Sequence, residues 1–384
     1  MEEVVRYSYR LRPSRTTESV LLAEWHRCRF LWNESVNHQK SGNKPTLSTL
    51  SKFLTDARSC SAWLREGSQV AQQQTLRTYA LALKQSFTVK GRGRPAFKPR
   101  KATRPSLEYT RRGFNIRGGR LVLAKGVSIP VVWSRELPSE PTSVRVVQDS
   151  LGHWYASFVV RRAVEPCSVA DSNIGVDWGV CTTATTTDPG FDLPYLGHRA
   201  RCAAEMCRAQ RKMARRRRGK TGPQSGGYRR AARQAARLHK KAARQTRHDS
   251  CVWAKHVVDQ HDLIAVEDFT PKFLAKSTMA KMAADAAIGA AKRELINRGV
   301  RAGRKVGLVQ PAYTTMTCSS CFARAKQQLG LGERTFRCDD CGYSDGRDRN
   351  AARVILAVAE RGHTRVDDVR QSDHLLRADG AVAV

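Results

Sequence analysis

In Asn173-Ile174-Gly175-Val176-Asp177-Trp178-Gly179 a short apolar run ends on a carboxylate. Ile174 to Val176 has the pattern of a buried strand, and an acid at the end of such a strand is costly unless it is paired or holds a cation. The same arrangement returns in Leu263-Ile264-Ala265-Val266-Glu267. Around these two strands, long helical stretches alternate with further strands up to about residue 310, which predicts an α/β domain. A third acid, Asp348, lies in Asp345-Gly346-Arg347-Asp348-Arg349-Asn350-Ala351-Ala352, at the start of a helix continuing through Val354, Ile355 and Leu356. Taken singly, each acid is at least as readily a turn former or a cap. Together, the three could converge on two hard divalent cations about 3.5 to 4 Å apart, the arrangement that cleaves phosphodiesters. Asp268 and Asp345 are local competitors, but strand alternation sends Glu267 and Asp268 to opposite faces, so only one of that pair can enter a shared site.

Just upstream of Asp348 stands a second cluster. Cys318-Ser319-Ser320-Cys321 is followed, sixteen residues later, by Cys338-Asp339-Asp340-Cys341. This is the paired-knuckle spacing of a four-thiolate zinc site, structural because four thiolates leave no open position for water. The chain has eleven Cys. An odd, scattered set argues against a disulfide framework, and the seven others (Cys28, Cys60, Cys167, Cys181, Cys202, Cys207, Cys251) are expected to be buried small apolar residues.

Charge points to a polyanion. The 384 residues carry 68 Lys+Arg against 34 Asp+Glu, a formal net charge of +34. Residues 208–248 hold sixteen of the basic residues and no acid, split by Gly219 to Gly227 in the manner of a helical hairpin, within a basic region set at 205–248. Arg230, Arg233, Arg237, Lys241 and Arg244 are spaced by three or four and share one helix face, costly through self-repulsion unless phosphates neutralise it. No run reaches the roughly 18 apolar residues of a membrane span, and Met1 to Arg6 has no apolar signal core, which predicts a cytoplasmic protein with no membrane partner.

Towards the N-terminus, residues 1–13 alternate as a strand ended by Pro13. Leu21, Trp25, Cys28, Leu31, Trp32 and Val36, and then Trp63, Leu64, Val70, Leu76, Tyr79, Leu83 and Phe87, recur at helical intervals through 14–95. Residues 106 to 162 read as short strands divided by Gly-containing turns, a small barrel or sheet for which the first strand is the missing member. The tail, 362–384, lacks a sustained apolar period, which predicts poor order.

At these residues the sequence resembles the TnpB family, transposon-encoded RNA-guided DNA endonucleases related to the miniature type V CRISPR nucleases. Gly175-Val176-Asp177-Trp178-Gly179 resembles the first RuvC motif, Ile264-Ala265-Val266-Glu267-Asp268-Phe269 the second and Asp348-Arg349-Asn350-Ala351-Ala352 the third. Pro311-Ala312-Tyr313-Thr314-Thr315-Met316 precedes the ribbon as a related stretch does in the family. Arg29-Phe30-Leu31-Trp32-Asn33, Gly93-Arg94-Pro95-Ala96-Phe97-Lys98 and Gly152-His153-Trp154-Tyr155-Ala156-Ser157-Phe158 match further signatures. Three positions depart from the pattern: Met316 replaces a usual Gln, Phe322 a Gly, and Trp178 an aliphatic residue.

The resemblance implies an α+β multidomain chain. Its parts would be a wedge β-barrel (1–13 and 96–168) carrying an inserted helical recognition unit (14–95), and an RNase H-like RuvC nuclease domain (169–312 and 344–361) with an inserted zinc ribbon (313–343). It implies a guide RNA, a target DNA cut beside a short adjacent motif, catalytic magnesium, two ions, on Asp177, Glu267 and Asp348, and structural zinc on Cys318, Cys321, Cys338 and Cys341. A guided DNA-binding regulator that does not cut, a miniature type V CRISPR effector and a zinc-ribbon RNA-binding protein without enzymatic activity are the alternatives.

Overall fold

The computed structural model describes residues 2–42, 45–100, 102–163, 170–219, 223–270, 279–327, 330 and 332–370. The chain is mixed α/β and divides into two compact units, Met1–Ala163 and Val164–Val384.

In the first unit, strand β1 (Glu2–Leu11) leads into helices α1 (Arg15–Lys40), α2 (Leu47–Cys60), α3 (Ala62–Glu66) and α4 (Gln69–Thr88). Strands β2 (Ser106–Thr110), β3 (Phe114–Arg117), β4 (Arg120–Leu123), β5 (Val127–Val132), β6 (Ser143–Gln148) and β7 (Trp154–Ala163) follow. They form one antiparallel sheet in the order β2-β6-β7-β1-β5-β4-β3, so β1 does complete it, centrally, between β7 and β5. Val5, Tyr9 and Leu11 of β1 are buried with Trp154, Ala156 and Phe158 of β7, and Leu21, Trp25 and Cys28 of α1 join that core. A second core, Leu31, Trp32, Val36, Leu64, Leu76, Tyr79 and Leu83, joins the helices to one another. Two members of the sequence pattern are exposed, Trp63 and Phe87, with Trp63 meeting Phe30 edge-on.

Two sequence signatures turn out to be partners. Trp32 donates its indole N–H to Ala96 O at 2.9 Å, and Asn33 accepts from Lys98 N at 2.9 Å, so the segment after α4 is fastened to α1. Lys98 Nζ lies 3.2 Å from the centre of the Trp32 ring, and burial lowers its pKa to about 8.

The second unit centres on a five-stranded sheet, β10-β9-β8-β11-β12. Its strands are β8 (Asn173–Trp178), β9 (Thr182–Thr186), β10 (Leu193–Pro194), β11 (Leu263–Glu267) and β12 (Lys305–Val309). Strands β8, β11 and β12 are parallel, while β9 and β10 are antiparallel additions. Helices α5 (His198–Arg201), α6 (Ala203–Arg216) and α7 (Gly226–Gln260) connect β10 to β11, and α8 (Ala280–Ala286) and α9 (Ile288–Arg301) connect β11 to β12. A small hairpin, β13 (Thr335–Arg337) and β14 (Ser344–Gly346), precedes α10 (Arg347–Glu360). On one sheet face Ile174, Val176, Ile264 and Val266 pack with Trp253, Val257 and Val258 of α7 and Ile288, Ala291 and Leu295 of α9. On the other, Ala265 and Val309 pack with Val354, Ile355 and Val358 of α10.

Two expectations are corrected. Order continues beyond residue 362: residues 366–370 are helical, and Val366 and Val369 are buried against the α10 face, completing an apolar surface that the strands alone do not cover. Residues 371–384 lie outside the described residues. Of the six scattered cysteines among the described residues, only Cys28 is buried; Cys60, Cys181 and Cys207 are exposed, at a helix end, in a turn and on a helix's outer face, and Cys202 and Cys251 are intermediate. Cys167 lies outside the described residues.

Candidate active site and metal centre

Strand parity assembles the acids. In β8, Ile174 and Val176 face α7 and α9, so Gly175 and Asp177 face α10; in β11, Ala265 faces α10, and Glu267, two residues on, follows it. The register pairs Ala265 with Gly175 and Val266 with Val176, which sets Glu267 and Asp177 side by side at the same end of adjacent strands. Asp348 lies in the first turn of α10, the helix that covers this face. Gly175 allows the cover to sit close: a Cβ there would overlap the carbonyl oxygen of Ala352 and meet Leu356 Cβ at 2.9 Å.

The environment of these carboxylates favours a cation. Asp177 and Glu267 are each only 6% exposed. Burial pushes the Asp177 carboxyl well above the usual carboxylate range, and repulsion from Glu267 and then Asp348 pushes the same way. Burial pushes Glu267 up to about 7, opposed by Lys292 and by a hydrogen bond from the Trp178 main chain. Two buried acids held next to each other are poorly matched to water and well matched to a hard cation. Their oxygens are not tightly clustered: among the described residues, the four thiols are the group whose ligand atoms all lie within 4.8 Å. The competing acids point elsewhere. Asp268 pairs with Lys292 at 2.6 Å, and Asp345 accepts from Tyr343 Oη at 3.0 Å.

For several residues around the acids, the sequence carries no signal of what they pair with. Arg349 grips Asp192 with both guanidinium nitrogens, at 3.0 and 2.9 Å, and also bonds Thr186 O, fastening the start of α10 to the sheet edge beside Asp177. Trp178, buried edge-on against Trp253, donates to Glu267 O at 3.2 Å. Arg334 and Arg347 come within 3.8 and 3.7 Å of the Asp348 carboxylate, placing positive charge beside the site.

The thiols form a centre of their own. Cys318 and Cys341 Sγ are 3.7 Å apart, and Cys321 and Cys338 Sγ 3.6 Å. A tetrahedron with metal–sulfur bonds of about 2.3 Å has edges of about 3.8 Å, so four thiolates so spaced fit zinc. In the second knuckle Gly342 takes a left-handed φ of +71° and donates to Cys338 O; in the first, Phe322 takes the equivalent turn with φ +59°. A non-glycine there costs roughly 1 kcal/mol or more. Burial of the Phe322 ring in the α10 core, with the Arg361 guanidinium 4.5 Å from its centre, offsets that.

The basic hairpin takes the expected shape. Helices α6 and α7 pack through Ala209, Ala231, Ala235, Leu238 and Ala242, while Arg230, Arg233, Arg237, Lys241 and Arg244 are all exposed. Among the described residues no helix is long and apolar enough to cross a membrane.

The chain is similar to several known proteins. A family model described as "Probable transposase" matches residues 157–278, and one described as "Cas12f1-like, TNB domain" matches residues 290–355. Two relatives carry the name "Putative RNA-guided DNA endonuclease". One, from Streptomyces pristinaespiralis, is 29% identical over 383 residues, covering 96% of this chain and 93% of its own. The other, InsQ of Escherichia coli (strain K12), is 26% identical over 386 residues and covers 93% of each. A solved Cas12f1–sgRNA–target DNA complex superposes with a TM-score of 0.56 at 12% identity, over 93% of this chain and 98% of that one, a likeness of fold. A transposase model matches the chain's middle and a Cas12f1-like one the region around its four cysteines, and both relatives run collinear with it nearly end to end, so the chain is similar to proteins named RNA-guided DNA endonucleases over almost its whole length.

Proposed function

We propose that this protein is a transposon-encoded RNA-guided DNA endonuclease, with guide RNA and target DNA as its partners and Asp177, Glu267 and Asp348 as its catalytic carboxylates. The observation that carries the reading is the convergence of these acids on one sheet face by strand parity and by the start of α10. In the family's terms the second unit is an RNase H-like RuvC domain with an inserted zinc ribbon, and the first a wedge barrel with a helical recognition insert.

The donor set, three carboxylates of which two are buried and mutually repelling, suits magnesium. Magnesium bound there would supply the Lewis acidity for phosphodiester hydrolysis. The chain's own residues prepare the place: Trp178 and Arg349 hold the elements bearing the acids, Lys292 draws Asp268 aside, and Arg334 and Arg347 offer positive charge towards an incoming phosphate. Cys318, Cys321, Cys338 and Cys341 would hold structural zinc. The α7 face of Arg230, Arg233, Arg237, Lys241 and Arg244 would lie along RNA or heteroduplex phosphates, where charge and shape suffice because base pairing reads the sequence.

The test is paired cleavage and gel-shift with co-purified RNA and a guide-matched target carrying a randomised flank. Wild type should cut in magnesium and not in chelator, and Asp177→Ala should bind the target without cutting. Equal cutting by wild type and Asp177→Ala would overturn the assignment, whereas binding without cutting by wild type would select the guided regulator.

A further inference from the structure

Asn350 follows Asp348 by two residues and is 0% exposed, yet it does not cap the helix it belongs to, whose N-cap is Gly346. Both ends of its amide reach into the ribbon: Nδ2 donates to Thr317 O at 2.8 Å, and Oδ1 accepts from Ser319 N at 2.9 Å. Thr317 and Ser319 are the residues on either side of Cys318. The residue before Asp348 does the same for the ribbon's other half. Arg347 N donates to Arg334 O at 2.8 Å, and its guanidinium donates to Gly330 O at 3.0 Å and Glu333 O at 3.4 Å. Asp348 is thus bracketed by two clasps, one to the strand leading to Cys338 and one to the first knuckle. The two halves of the ribbon meet again at the thiols, where each close pair takes one cysteine from each knuckle.

From this closed loop of contacts we infer that Asn350 is a positioning residue that couples the four-thiolate cluster to Asp348, so that metal held by the thiols and a divalent cation held by the carboxylates stabilise one another. The inference rests on the reading of Asp177, Glu267 and Asp348 as cation ligands. Its physical basis is that a buried amide satisfied at both ends allows few arrangements, so moving the knuckle moves the first turn of α10. Thermodynamic linkage requires the effect to run both ways.

That reciprocity is the test, done on full-length protein with manganese as the probe cation. Manganese binding is read by electron paramagnetic resonance, and zinc loss by the rate of transfer to a zinc-selective colorimetric chelator. In wild type, saturating manganese should slow zinc loss several-fold, and Asp348→Ala should abolish both manganese binding and the slowing. Asn350→Ala should still purify with zinc but bind manganese about tenfold more weakly, as removal of outer-shell support does elsewhere. Its zinc loss should be faster and insensitive to manganese. Asn350→Asp, which keeps the acceptor for Ser319 N–H, should fall between the two. If manganese binding depends on Asp348 but leaves zinc loss unchanged in wild type, the coupling is wrong and the carboxylate site stands. If manganese slows zinc loss as much in Asn350→Ala as in wild type, the coupling does not pass through Asn350. If manganese binds equally to wild type, Asp177→Ala and Asp348→Ala, the carboxylate reading itself fails and the inference goes with it.

Discussion

Trp178 donates its indole N–H to the main-chain carbonyl of Glu267 at 3.2 Å. The residue after the first acid therefore holds the backbone of the second, across two adjacent parallel strands. An aliphatic side chain at this position could not make that bond. Trp178→Phe keeps an aromatic ring against Trp253 while removing the donor together with part of the indole's volume. A hydrogen bond of this kind contributes about 1 kcal/mol, so cleavage should slow about fivefold while guide and target binding stay unchanged. Single-turnover cleavage beside a gel shift measures both, and an unaltered rate would show the bond to be incidental.

Gly175 sets how near α10 can come. Gly175→Ala places a methyl group against the Ala352 carbonyl, which belongs to backbone and cannot swing aside. Overpacking of this sort costs about 1 to 3 kcal/mol, and it displaces the helix that carries Asp348. Thermal unfolding should show the loss, and cleavage should fall further than stability alone accounts for.

The raised carboxyls give a pH dependence with a definite sign. For Glu267 the ordinary value of 4.5 rises to about 7 in the fold, so between these the native state binds more protons than the unfolded chain and stability falls as pH rises. Burial moves Asp177 in the same direction. In magnesium-free buffer the melting temperature should drop from pH 5 to pH 7.5. Added magnesium should raise it more at pH 7.5, where the carboxyls are free to bind, than at pH 5.

For the basic face, replacing Arg230, Arg233 and Arg237 with Gln should weaken RNA binding alike for every guide. If each makes one phosphate contact, the salt slope should flatten by about 0.7 to 0.9 per residue. An unchanged slope would mean that the face is merely solvated.

Cys338→Ser removes one of four thiolates. Zinc content should fall from one per chain towards zero, and the region around β13, β14 and the start of α10 should become protease-sensitive, because metal binding and local folding are one equilibrium. Elemental analysis with limited proteolysis checks it; a zinc-free protein with unaltered protection would exclude the metal.

The acids and the cysteines were legible because each announces itself locally: Asp177 and Glu267 by ending apolar runs, the thiols by knuckle spacing. The basic face of α7 was legible for a similar reason, since three- and four-residue intervals map directly onto a helix surface. Arg349, Asn350 and Trp178 stand within motifs, yet their tasks depend on Asp192, Thr317 and Glu267, up to 157 residues away, and no local pattern encodes such pairings. Trp63 and Phe87 misled because helical spacing reveals an apolar face without revealing what covers it. Val366 and Val369 were missed because two valines three apart are too short a period to be heard.

Those two valines bear on how far such a protein could be shortened where a gene must fit a small carrier. They close over Val309, Phe322 and Ile355, and Arg324 beside the first knuckle pairs with Asp367. A chain trimmed at Gly362 would bare that surface to water and loosen the ribbon where it leans on α10. The minimum length set by this core is reached at Val369, not at the last residue of the third acidic motif.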